Sequence, residues 1–207
     1  MINPDKKYIH SDGVDLPIMY CYLAGRIAGE CIDKCLAWRH KIIDFYADYK
    51  GKGVYPISFL DALNSKESES IDKKGLTSAI PPNLIYDKDI LSVERADVVV
   101  AMMDDYMEEG IQEPNEYDDH AELYSISRNL HTKILERRPN WGTDYEVSIA
   151  MYLKKPVILI AGNERQKTML EKHPFMKRAS VIVGSVDELL DKKWLNILYK
   201  SIAGAIY

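Results

Sequence analysis

The sequence predicts an α/β fold: a doubly wound parallel sheet of about five strands, flavodoxin-like or Rossmann-like, flanked by helices and carrying a helical insertion. Three observations predict it. Residues 18–24, 96–103 and 157–161 are near-continuous apolar runs bounded by turn or polar residues. Such runs are read as strands buried on both faces of a sheet. The stretches between them show apolar residues at helical spacing, so strands and helices alternate along the chain. There is no internal repeat.

The elements follow in order. The first strand, 18–24, ends at the turn Gly25-Arg26-Ile27-Ala28-Gly29. A helix from about residue 30 to 49 carries Ile32, Leu36, Ile43, Phe45 and Tyr46, and Gly51 and Gly53 stop it. A short second strand is expected at 54–57, because Pro56 cannot continue a central ladder for long. Residues 64–83 are rich in Ser, Lys and Glu and close on Pro81-Pro82, which reads as a surface loop or partial lid. Ile90, Leu91 and Val93 give a helix over 87–96, ahead of the clearest strand, 96–103. Residues 104–140 are charged and Tyr-bearing, with helical spacing from His120 to Leu135; they read as an insertion into a single domain covering 1–207. Gly142 then makes a turn, Thr143 caps a short helix that carries Glu146, and Lys154-Lys155-Pro156 stops it before the strand at 157–161. A polar helix at 164–172, a last strand at 180–183 and a final helix from Val186 onward complete the layout.

At 207 residues the chain can bury a sizeable core, and its 46% apolar and 29% charged residues are those of an ordinary globular protein. A net charge of -5 argues against coating a nucleic-acid polymer, although a local pocket for a nucleotide remains open. Three cysteines, Cys21, Cys31 and Cys35, make no disulfide framework and no zinc set; buried thiols in a reducing cytoplasm are expected. The first residues lack the apolar run of a signal peptide. No window approaches the roughly 20 apolar residues of a membrane span. The expectation is a cytoplasmic protein that uses no metal and no cofactor.

Parallel topology brings several strand ends to one edge of the sheet, where open α/β sheets bind ligands. The candidates there are Tyr22, Gly25 and Arg26 from the first strand and turn, and Asp89 from the helix before the central strand. Asn140, Gly142, Thr143 and Glu146 come from the turn and helix after the insertion. A carboxylate held by a phenol can attack an electrophilic, oxocarbenium-like carbon while a second carboxyl protonates the departing group. That is the logic of retaining glycosyl transfer. Each residue also has a plainer reading. Glu146 and Asp89 suit the first turns of helices, Tyr22 suits a strand end, and Arg26 is placed to pair with Glu30. Asp97 reads as a structural cap.

The pieces Tyr22-Leu23-Ala24-Gly25, Tyr86-x-x-Asp89-Ile90, the strand from Ala96 to Ala101, Gly142-Thr143-x-x-Glu146 and the ending Gly204-Ala205-Ile206-Tyr207 resemble the nucleoside 2-deoxyribosyltransferases and their nucleotide N-hydrolase relatives. The resemblance implies Glu146 as the nucleophile at the anomeric carbon, Tyr22 as the phenol that orients it, and Asp89 as the carboxyl that contacts the base and assists its departure. It further implies homo-oligomers with shared active sites, Tyr207 and Met176 taking the places of residues that reach a neighbouring subunit. Substrates would be deoxynucleosides or nucleotides and free nucleobases. The chain departs from the pattern at Asn140, where the transferases often have an acid, and in the insertion at 104–140. Arg26 in the Gly25–Gly29 turn matches the place where the monophosphate-hydrolysing relatives cradle a 5′-phosphate. Three functions therefore stand side by side: base exchange on 2′-deoxyribose, N-glycosidic hydrolysis of a nucleoside 5′-monophosphate, and a non-catalytic nucleotide-sensing or scaffold module.

Overall fold

The computed structural model describes residues 8–11, 14–25, 32–47, 55–61, 82–103 and 141–204. Two short strands, β1 (Tyr8–Ser11) and β2 (Val14–Pro17), pair antiparallel. The main sheet has five strands, β3 (Met19–Ala24), β4 (Ile57–Asp61), β5 (Val98–Met102), β6 (Val157–Ile160) and β7 (Val181–Val183). They lie in the order β4-β3-β5-β6-β7, and every pairing is parallel. The helices are α1 (Ile32–Ala47), α2 (Pro82–Arg95), α3 (Trp141–Tyr152), α4 (Glu164–Lys172), α5 (Val186–Asp191) and α6 (Trp194–Gly204). The expected doubly wound parallel sheet is present, and among the described residues no helix is long and apolar enough to cross a membrane.

Alternation along the strands sorts the core into two layers. Met19, Cys21, Leu23, Val98, Val100, Ile158 and Ile160 face α1, α5 and α6 through Ile42, Tyr46, Leu189, Leu195 and Tyr199. Tyr22, Ala24, Val99, Ala101 and Leu159 face α2, α3 and α4 through Val93, Val147, Ala150 and Leu170. The second layer is lined by small and β-branched side chains around the ring of Tyr22. Strand β5 is buried at every position, as its unbroken apolar run requires.

Four expectations need correction, and one element stands outside them. The β1–β2 hairpin was not foreseen; the hydroxyl of Tyr199 on α6 donates to the Pro17 carbonyl at 2.7 Å and ties it down. The second strand begins at Ile57, not at 54, because Pro56 has no N–H to give the ladder and serves only as an acceptor, from Met19 N. Helix α2 starts at Pro82 rather than at 87: proline is well suited to the first helical position, where the N–H would go unused. The final helix is two, broken where Lys193 adopts φ 47°. The buried stripe of α1 is Cys35, Arg39, Ile42 and Tyr46, rotated from the expected one; Leu36 and Ile43 are only half-buried. Of the loop expected at 64–83, residues 64–81 lie outside the described residues, as does the insertion at 104–140.

One tie sets the spacing of α2 and α3. Helix α3 ends with Lys155 N bonded to Ala150 O at 2.9 Å and Lys154 N to Met151 O at 3.1 Å, Lys154 being left-handed at φ 57°. This turn aims Lys155 Nζ at the carbonyls of Glu94 (2.7 Å) and Ala96 (2.5 Å), at the carboxyl end of α2. A cation there satisfies orphan carbonyls and the helix dipole. Lys155→Met should lower the unfolding free energy by about 1–2 kcal/mol, read as a lower urea midpoint at unchanged slope.

Candidate active site

The site lies at the carboxyl edge of the sheet. From β3 the chain moves outward to β4 on one side, then crosses to β5, β6 and β7 on the other. The carboxyl ends of β3 and β5 therefore form the switch point, the place where open α/β sheets bind ligands. Tyr22 pairs in register with Val99 two residues short of that edge. Helix α3 leaves the same edge, and α2 packs beside it.

Two predicted residues, 124 positions apart in sequence, meet directly. The Tyr22 hydroxyl donates to Glu146 Oε1 at 2.7 Å, in a buried bond. Tyr22 is fully buried and Glu146 is 7% exposed. Burial is the chief reason the Glu146 carboxyl is raised from 4.5 to about 8; the Asp89 charge adds to it, while the Tyr22 hydrogen bond and the Arg39 charge pull the other way. The Tyr22 phenol is pushed well above its ordinary range, first by burial and then by the negative charges of Glu146 and Asp89. It is therefore a permanent donor. Asp89, half-buried on α2, interacts electrostatically with both groups. The site thus places a phenol and two carboxyls in one electrostatic unit, with no metal-ligating cluster among the described residues.

The remaining predicted residues fare differently. Gly142 and Thr143 are inside the first turn of α3, which begins at Trp141, so Thr143 is not the residue that caps the helix and Gly142 is not a turn before it. Gly142 is exposed, and among the described residues a side chain there would meet nothing within 4 Å. Thr143 is buried and lies one turn from Glu146 on the same face. Met176, in the short 3-10 turn Met176–Arg178 before β7, is buried at 7% exposure in the same core layer as Tyr22. Arg26, Asn140 and Tyr207 lie outside the described residues.

Gly25 sits where the chain leaves β3, and it is glycine for a steric reason. A Cβ there would stand 2.8 Å from Trp38 Cζ2 and 3.2 Å from Arg39 Nη2. Arg39 is fully buried and donates to the Gly25 carbonyl at 3.0 Å and to the Cys35 carbonyl at 2.5 Å. Its guanidinium also lies 4.5 Å from the Trp38 ring centroid. Sequence reasoning passed over Arg39. The available signal was a lone cation in the stripe Cys35-Arg39-Ile42-Tyr46, at spacings that mark a helix face otherwise free of charge.

Asp97 has the structural role expected of it. Its carboxylate accepts from Tyr20 N at 2.9 Å, and its own N–H donates to Tyr20 O at 2.7 Å, locking β3 to the start of β5. An open cleft of about 740 Å³ at the opposite, amino edge is lined, among the described residues, by Tyr152, Lys154, Phe175 and Arg178 with others, and by none of the predicted site residues that are described.

No family model matches the chain, and no curated protein sequence is similar to it. Among solved structures, it is similar to the CMP N-glycosidase BcmB of Clostridium botulinum. The two are 16% identical, with a TM-score of 0.40, over 85% of this chain and 98% of that one.

Proposed function

We propose that the chain breaks N-glycosidic bonds by displacement at the anomeric carbon, with Glu146 as nucleophile and Asp89 as the acid for the departing base. The observation that carries this is the 2.7 Å bond between the buried Tyr22 hydroxyl and Glu146, at the switch point of the sheet. With Oε1 held by the phenol, Oε2 is the oxygen offered to C1′. A bond forms between Oε2 and C1′ as the C1′–N bond breaks; the base leaves with the electron pair and takes a proton from Asp89. The acceptor then attacks C1′ from the vacated side, gives its proton to Asp89, and releases the Glu146 carboxylate. An acceptor nucleobase makes the protein a nucleoside 2-deoxyribosyltransferase, the reading we put first.

A second reading, in which water is the acceptor and the substrate a nucleoside 5′-monophosphate, is favoured by one feature. The Gly25 carbonyl, at the end of β3, accepts from the buried Arg39 guanidinium, so positive charge lies beneath the carboxyl edge, where it would favour an anionic sugar phosphate. Both readings take small-molecule substrates and need no cofactor, and both allow an oligomer with shared sites.

The test is chromatography of products from a panel of deoxynucleosides and their 5′-monophosphates, each with and without a second base. Exchanged nucleosides support transfer, and free base at a rate indifferent to the second base supports hydrolysis. No product from any substrate removes both readings and leaves a nucleotide-sensing role. Tyr22→Phe should cut turnover on the order of 10²-fold. It should also move the acid limb of the pH–rate profile upward, because the phenol's hydrogen bond favours the ionised carboxylate.

A further inference from the structure

We propose that Arg39 is a positioning residue for the Glu146 centre: its guanidinium fastens Gly25, at the end of the strand that carries Tyr22, and holds a permanent positive charge within electrostatic reach of the nucleophile. This rests on the reading of Glu146 as nucleophile. Burying a charge with no functional return is costly. Helix α1 nevertheless turns Arg39 inward, in a stripe where its neighbours Cys35, Ile42 and Tyr46 are core residues. The fork of the side chain spans two carbonyls, one on its own helix and one at Gly25, which a lysine could not do with the same geometry. Gly25 is in turn pressed so closely on Trp38 and Arg39 that no larger residue fits without movement. The path from Arg39 to Tyr22 is therefore short: guanidinium, Gly25 carbonyl, then Ala24 and Leu23 of the strand.

The electrostatic half follows from what surrounds Glu146. Among the described residues, the titratable groups that act on Glu146 are Asp89 on α2, Tyr22 on β3 and Arg39 on α1; β5 and β6 present apolar side chains, and Asp144 and Tyr145 share its own helix. Burial and Asp89 both oppose an ionised carboxylate, and a nucleophile must be ionised. Arg39 is the one cation among the described residues that acts on Glu146 in the other direction.

The test compares Arg39→Met, which keeps an apolar stem without the charge, with Arg39→Lys, which keeps the charge without the fork. In Arg39→Met, the acid limb of kcat/KM should rise by about one pH unit, a loss of about tenfold at neutral pH that recovers in alkali. In Arg39→Lys, the limb should stay in place while kcat falls at every pH. A uniform loss in Arg39→Met with an unmoved limb would show Arg39 to be merely structural. If the wild-type protein turns over no substrate, the function above fails, and thermal unfolding across pH still decides the role of Arg39. Arg39→Met should shift the pH dependence of Tm upward when Glu146 is present and leave it unmoved in a Glu146→Gln background. The same shift in both backgrounds, or in neither, overturns the proposal. Should Arg39→Met not fold, the same comparison is made with Arg39→Gln.

Discussion

Replacing Glu146 with Gln is expected to lower base release and base exchange by on the order of 10⁴-fold or more, the scale seen when a covalent nucleophile is removed. Glutamine preserves the volume and can still accept the Tyr22 hydrogen bond, so the 2.7 Å contact can persist. Its amide oxygen cannot form and release an ester at the sugar carbon, and that capacity is what the substitution deletes. The wild-type rate should also depend on pH in a particular way. Because the carboxyl of the free protein sits near 8, kcat/KM should climb through neutrality toward that value as the nucleophile ionises. A Glu146→Gln protein that exchanges bases at the wild-type rate would sink the mechanism, whatever the substrate.

The second large effect is on stability. The Glu146 carboxyl titrates near 4.5 in an unfolded chain and near 8 in the folded one, so between those values the native state holds a proton that the unfolded state has lost. A raised carboxyl contributes stability that is fully present below about pH 4.5 and is lost as pH rises through about 8, the reverse of a salt-bridged carboxylate. At about 1.4 kcal/mol for each pH step between the two values, the loss is on the order of 3–5 kcal/mol for this one group. The wild-type Tm should therefore fall between mildly acidic and alkaline pH by more than that of Glu146→Gln, which has no proton to lose there. Parallel Tm curves for the two proteins across this range would mean that the carboxyl is not buried as described. The two experiments ask the same side chain different questions: whether it attacks a sugar, and whether the fold keeps it dry.

The fold was largely legible in the chain because parallel strands buried on both faces leave an unmistakable trace. The runs at 96–103 and 157–161 admit few other readings. The polar helix at 164–172 was equally plain, with Asn163 accepting from Gln166 N at its start. Boundaries were less legible, and proline accounts for two of the errors. Pro56 stands just before a strand rather than within it, and Pro82 opens a helix rather than closing a loop. In both cases local chemistry allows two positions, and packing chooses one.

The candidate site shows the same division. Tyr22, Asp89 and Glu146 could each be picked out as polar residues near strand or helix ends. Glu146 was singled out for a glycine–threonine bend that turned out to be the first turn of α3 itself. Arg39 was invisible because its role is defined by a carbonyl 14 positions away, reached only when α1 folds back against the end of β3.

By itself, then, the order of residues determined the alternation of strands and helices, the buried character of the central strands, and which polar side chains stand near the strand and helix ends. Periodicity and composition are local properties, carried by the chain before it folds. Tertiary structure alone decided that a phenol and a carboxyl 124 positions apart share a proton donor and acceptor, that this carboxyl is dry enough to titrate near 8, and that a buried guanidinium opposes that rise. Ionisation energies depend on distance and on the exclusion of water, and neither exists until the sheet brings distant segments to one edge.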